Sequence, residues 1–185
     1  MEEGIFFIDG AYLSLVSKFI GGGKAIKFNI KKLAENLAKN QNLACKKIFY
    51  YNCPPFQSEP PTTEQEKRKA GYDKFIVKLK NSGIEVREGR CQMIDKKYAQ
   101  KGVDVLLTID LIRQAIKTNV KKFIIVACDT DFVPAINNIR KEDKIEVILY
   151  YFRSGHPMFS MSDHILSVCD KKVKLRKEDF EKAGF

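Results

Sequence analysis

The chain has 185 residues, 44% hydrophobic and 30% charged, with 33 Lys and Arg against 23 Asp and Glu for a formal net charge of +10. This is ordinary globular usage at the length of one domain, which excludes a disordered chain or a disulfide scaffold. No run approaches the roughly 18 apolar residues of a membrane span, and Met1-Glu2-Glu3 is acidic where a secretory leader is basic. A single-domain, soluble, cytoplasmic protein is expected. Its basic excess argues for an anionic partner, nucleic acid first, with a merely solvated basic surface as the alternative.

Gly4-Ile5-Phe6-Phe7-Ile8 is a continuous apolar run ended by Asp9-Gly10, which reads as a buried strand and a turn. Gly21-Gly22-Gly23-Lys24 lacks phosphate-loop spacing and reads as a flexible loop. Asn29 caps a helix with an inward stripe of Ile30, Leu33, Ala34, Leu37 and Ala38. Lys47 to Tyr51 is a second strand, and Cys53 to Thr63, with four of the six prolines, is a loop. Thr63 with Glu66 forms a capping box for a helix that Gly83 stops near Ser82.

Ile84-Glu85-Val86 reads as a weak third strand, and Arg87 to Lys101 as a polar stretch with no assigned element. Val103 to Lys117 is helical in period. Phe123 to Ala127 is the fourth strand, a helix runs from about Asp131 to Lys141, and Ile145 to Tyr150 is the fifth strand. A loop with Gly155 and Pro157 leads to a helix over Ser162 to Cys169. The chain then divides into a domain of residues 1–175 and a basic C-terminal tail, 176–185.

Strands that are apolar throughout and alternate with helices specify a parallel sheet covered on both faces, so the expected fold is a three-layer α/β domain with five strands. The five cysteines (Cys45, Cys53, Cys91, Cys128, Cys169) include no C-x-x-C pair and read as reduced thiols, not zinc ligands. His156 and His164 fit no catalytic pattern.

In such sheets ligands sit beyond the carboxyl ends of the strands. Asp9 follows the first strand, Asp129 and Asp131 follow the fourth, and Asp104 lies in the first turn of the Val103 helix. If the first and fourth strands are neighbours, three carboxylates converge and the fourth reaches them from the helix. Such a cluster repels itself unless a cation neutralises it, and oxygen-only donors suit Mg²⁺ or Mn²⁺. The competing reading is that each acid only caps a helix. Asp110, six residues from Asp104, lies about 240° further round the helix. It is expected to be structural, paired with Arg113 or a neighbouring element.

The order Phe7-Ile8-Asp9-Gly10, Lys101-Gly102-Val103-Asp104-Val105 and Asp129-Thr130-Asp131-Phe132-Val133-Pro134 resembles the NYN domain of the LabA type (DUF88), in the PIN-like nuclease superfamily, over about residues 4–170. The resemblance implies a sheet of order 3-2-1-4-5. It also implies a metal-dependent endoribonuclease site in which Asp9, Asp104, Asp129 and Asp131 hold Mg²⁺ or Mn²⁺. Thr130 becomes a hydroxyl supporting those ligands, and Lys101 contacts RNA phosphate; Lys96 and Lys97 join it as a basic group that adjoins the expected site and would bind RNA. Relatives often pair, so a homodimer is expected; no membrane partner is.

Two positions depart from the family pattern: Tyr12, where Asn is common, and Ala127-Cys128, where Ser-Gly is common. Tyr12 is a candidate to stack on an RNA base; alternatively it packs on the helix it begins. The rival function is an NYN-like module that holds RNA or protein without efficient cleavage. A dehalogenase-like phosphatase is disfavoured because position 11 is Ala, where a second Asp is needed. Toprim-like chemistry is disfavoured because the first strand ends in Asp, not Glu.

Overall fold

Every residue of the first strand from Gly4 to Ile8 is buried, and successive side chains go to opposite faces. Ile5 and Phe7 enter one core; Phe6 and Ile8 enter the other. A strand buried on both faces needs helices on both sides. A computed structural model of the chain, which describes residues 1–94, 97–155 and 162–184, has that arrangement.

In chain order the elements are β1 (Glu2–Asp9), α1 (Gly10–Ile20), α2 (Ile30–Lys39), β2 (Leu43–Asn52), α3 (Thr63–Asn81), β3 (Glu85–Glu88), β4 (Arg90–Ile94), β5 (Lys97–Lys101), α4 (Val103–Lys117), β6 (Lys122–Val126), a 3₁₀ turn over Thr130–Phe132, α5 (Val133–Glu142), β7 (Glu146–Tyr151), α6 (Asp163–Val168), β8 (Lys171–Lys174) and α7 (Lys177–Lys182). The main sheet has the order β3-β2-β1-β6-β7-β8, and every pairing in it is parallel. Residues of α4, α5 and α6 cover the face bearing Phe7, Phe49 and Phe123. Residues of α1, α2, α3 and α7 cover the face bearing Phe6, Tyr50 and Tyr150.

The sheet therefore has six strands, not the five expected, although those five occur in the expected relative order. The sixth, β8, is Lys171-Lys172-Val173-Lys174, with one apolar residue among three lysines. An edge strand pairs on one side only and is protected by charge, so it carries no apolar run to read. The stretch from Arg87 to Lys101 is also structured: it ends β3 and then forms an antiparallel β4–β5 hairpin.

Two local assignments shift as well. The capping box of α3 belongs to Thr62 and Gln65, one residue before the expected pair: Gln65 N donates to Thr62 Oγ1 at 3.3 Å, and Thr62 N donates to Gln65 Oε1 at 3.0 Å. Beyond residue 175 the chain forms α7, with Phe180 fully buried against Phe28 at a ring separation of 5.0 Å. This segment is anchored through Phe180 and Ala183, while Lys177, Glu178, Glu181 and Lys182 stay exposed. The cap at Asn29 is as expected, with Lys32 N donating to Asn29 Oδ1 at 3.1 Å.

Candidate active site

Strand order reverses between β1 and β6, the place where open α/β sheets bind ligands. These strands are in parallel register, with Ile8 opposite Val126, so Asp9 and Asp129 emerge at the same edge of the sheet. Asp9 turns the chain into α1: its Oδ1 accepts hydrogen bonds from Ala11 N at 2.9 Å and Tyr12 N at 3.1 Å. Gly10 permits this close turn, because a Cβ there would come within 2.4 Å of the Tyr50 ring. Asp129 acts similarly on the following 3₁₀ turn, accepting from Asp131 N at 2.9 Å.

Asp104 arrives from the other side. Gly102, at φ 82° in the left-handed region, turns β5 into α4 and makes no side-chain cap. Asp104 then sits in the first turn of α4, where the helix dipole favours a carboxylate. The capping reading is therefore right for Asp9 and Asp129, while neither Asp104 nor Asp131 caps a helix.

Electrostatics tie these acids together. Burial, opposed by the two amide hydrogen bonds and reinforced by repulsion from Asp104 and Asp129, pushes the Asp9 carboxyl up to about 6. Asp104 is raised by its own partial burial and by repulsion from Asp129 and Asp131. The Cys128 thiol, pushed up to about 11 chiefly by burial, also feels Asp9 and Asp129. Three arginines are committed elsewhere: Arg87 and Arg113 pair with Asp110, and Arg140 with Asp170. No ion pair among the described residues reaches the four acids.

The donor set is all carboxylate oxygen, which matches a hard divalent ion. Its mutual repulsion is what a bound cation relieves. Among the described residues, however, no three His, Cys, Asp or Glu side chains are grouped to hold an ion. The fit is one of donor type and charge, not of an assembled cage.

Other candidates are placed as follows. Thr130 lies half-buried between Asp129 and Asp131, and Lys101 is exposed at the end of β5. Lys96 and His156 lie outside the described residues, as does the side chain of Lys97. Tyr12 is 5% exposed, and its hydroxyl accepts from Phe152 N at 2.7 Å. A ring so enclosed has no open face for a base, so the expected stacking role is withdrawn and the packing reading holds. Asp170 accepts from Arg140 Nε and from Val147 N, each at 2.8 Å, which makes it a sheet-edge clamp.

A doubly covered parallel sheet with carboxylates at its switch point defines an α/β domain with an acidic ligand edge. The family model for the NYN domain matches residues 5–176, and the chain belongs to that family, within the PIN-like superfamily. NYN domains are generally nucleases, and PIN-like nucleases typically use divalent metals. The chain is similar in structure to a protein of unknown function from Vibrio parahaemolyticus, with a TM-score of 0.64, 19% identity, and coverage of 97% of this chain and 96% of that one. That likeness concerns the fold alone. A second structure, the reductase domain of an aureusimine biosynthetic cluster, is similar only at a TM-score of 0.30 and 12% identity, over 43% of its length. No curated protein matches the sequence. Among the described residues no helix is long and apolar enough to cross a membrane.

Proposed function

We propose that the chain is a metal-dependent endoribonuclease in which Asp9, Asp104, Asp129 and Asp131 hold Mg²⁺ or Mn²⁺. The observation that carries this reading is the emergence of Asp9 and Asp129 at one edge of the sheet, at the switch point of an NYN domain, with Asp104 close enough to add to the raised Asp9 carboxyl and no ion pair to any of them among the described residues. The net charge of +10 on a chain with an acidic centre supports an anionic substrate.

When bound, such an ion supplies an activated water and neutralises charge on the phosphate. The protein's own groups set the geometry. Two backbone amides fix the Asp9 carboxylate through Oδ1 and leave Oδ2 outside those bonds. The Asp131 amide orients Asp129 in the same way. Thr130, between them, offers a hydroxyl to the carboxylates, and Lys101 offers a cation to a phosphate near Asp104. RNA is the substrate class of this proposal, and cytoplasmic location and homodimer formation belong to the same reading.

One observation favours the rival reading of a binding module: no three ligating side chains are grouped among the described residues. Calorimetric titration of Mn²⁺ into wild type and Asp129→Asn, followed by incubation with labelled single-stranded RNA, separates the two. Binding and cleavage that both vanish in the variant support the nuclease. Metal binding without cleavage selects the module, and no metal binding reduces the acids to caps.

A further inference from the structure

An open cleft of about 450 Å³ lies among the loop after β2, the first half of α3 and the β4–β5 hairpin. Topology places it beside the acids. Cys53, in the cleft wall, follows the last residue of β2, and β2 pairs with β1 so that Tyr51 stands opposite Asp9. Cleft and carboxylates therefore share one edge of the sheet. The hairpin strand β5 then runs through Lys101 and Gly102 directly into the turn that carries Asp104.

The ribbon's pairing decides which side chains face the cleft. Cys91 pairs with Gln100 and Met93 with Tyr98. Opposed residues, and residues two apart, share a face. Cys91, Tyr98 and Gln100 of that face line the cleft. Tyr98 is 61% exposed, and its ring leans on Phe56 at a centroid distance of 5.4 Å and an angle of 38°. Gln100 is exposed too, and its amide has no hydrogen-bond partner among the described residues.

A large aromatic ring held out on a ribbon gains nothing from the core. What it offers is a supported flat face, with a free amide two residues along. The opposite wall, α3, carries six basic residues against three acids. Of these Arg68 lines the cleft, in an exposed i,i+4 pair with Glu64. Such a pair is worth little, and a phosphate can displace the carboxylate. A flat ring, an amide with donors and an acceptor, and the Arg68 guanidinium match an unstacked nucleobase and its phosphate. A duplex keeps its bases stacked and does not present one.

We propose that this cleft is a base-binding subsite for single-stranded RNA, with Tyr98 as the stacking platform and Gln100 contacting the base edge. The RNA class rests on the nuclease reading above. The strand would lie along the hairpin with its backbone leading past Lys101 to the acids.

The test measures fluorescence anisotropy of a labelled single-stranded RNA oligonucleotide with the full chain in EDTA, where metal-dependent cleavage is off. Tyr98→Ala is expected to weaken binding roughly five- to a hundredfold, and Tyr98→Phe to stay within about twofold of wild type. The slope of affinity against salt should be the same in all three, because stacking removes no phosphate contact. Melting curves confirm that the exposed-site variants fold. Wild-type affinity in Tyr98→Ala, or absence of RNA binding by the wild type, overturns the subsite. Cleavage lost in Asp129→Asn leaves the nuclease reading standing in the first case. Tyr98-dependent binding without cleavage by the wild type upholds the subsite while the nuclease reading fails.

Discussion

Arg87 donates from Nε to Asp110 Oδ2 at 2.8 Å, tying β3 to the middle of α4. The same oxygen accepts from the Tyr51 hydroxyl at 3.2 Å, and Arg113 Nη1 stands 3.7 Å from Oδ1. The carboxylate is 2% exposed. One helix thus carries two acids with opposite fates: Asp110 is neutralised inside the fold, and Asp104, at the helix start, is left among other carboxylates. Replacing Asp110 by Ala leaves Arg87 with its Glu85 pair alone and takes the partner from the buried Tyr51 hydroxyl. The expected cost is about 3 kcal/mol in urea unfolding. Mn²⁺ affinity should be unchanged, and a loss of metal binding without a loss of stability would place Asp110 in the site.

Asp9 carries a pH dependence whose sign can be worked out. Its carboxyl is lifted from 3.8 to about 6 by folding, mainly through burial. Between those values the folded state holds more protons than the unfolded one, so stability falls as pH rises through the window. Above about 6 the full penalty applies; below 3.8 there is none. Asp9→Asn keeps a capping oxygen for Ala11 and Tyr12 but removes the charge. The metal-free variant should be more stable than wild type at pH 7.5, by roughly 1–3 kcal/mol. That gain should shrink to nothing as pH approaches 3.8. Equal melting temperatures at pH 7.5 would count against a raised Asp9 carboxyl.

Protons and metal compete for the same oxygens. With Asp9 raised to about 6, Mn²⁺ affinity is expected to drop as pH falls through that value. Below it the limit is roughly tenfold per pH unit for one displaced proton. Calorimetry at pH 7.5 and 5.5 measures this directly. In Asp9→Asn the residual affinity should be weak and nearly flat across the same range. A wild-type affinity independent of pH would mean that Asp9 is not a ligand.

Capping and ligation at Asp129 can be separated because Asn caps as well as Asp does. Asp129→Ala loses the bond from Asp131 N and should cost about 1 kcal/mol of stability. Asp129→Asn should keep that bond and the stability. Both should lose metal binding. Retained Mn²⁺ binding in Asp129→Asn would leave the residue with its cap alone.

What could be read from the sequence follows the size of the local signal. Five strands and α4 were legible because Phe6, Phe7, Ile124 and Ile125 belong to unbroken apolar runs, and because Leu107 and Leu111 keep a helical spacing. The acids were legible because strand ends are sparse in charge, so Asp9 and Asp129 stand out. β8 was not, since its lysines report an edge and not a core. The hairpin was missed for a related reason. Its alternation runs through Cys91 and Met93, then Tyr98 and Gln100, and mixes polar with apolar residues on a face turned to a cleft. The two readings of Tyr12, stacking and packing, are not separable in sequence, because an aromatic residue near a site looks the same whether its hydroxyl meets solvent or, as here, Phe152 N.

The last helix offers the clearest test of where the folded unit ends. Lys177 to Lys182 is charged enough to look like a solvated end, yet Phe180 and Ala183 are fully buried. Phe28 meets the Phe180 ring nearly edge-on, at 84°, and Asn29 N donates to Ala183 O at 2.8 Å. Helix α7 therefore holds the entry to α2, whose cap is Asn29. Phe180→Ala opens a cavity the size of a ring in that core and should cost about 3–5 kcal/mol. Lys177→Ala, on the exposed side, removes only a surface pair with Glu181 and should cost less than about 0.5 kcal/mol. Urea unfolding of the two variants decides the matter: equal, small losses would make α7 an appendage, and a large loss confined to Phe180→Ala makes it part of the core.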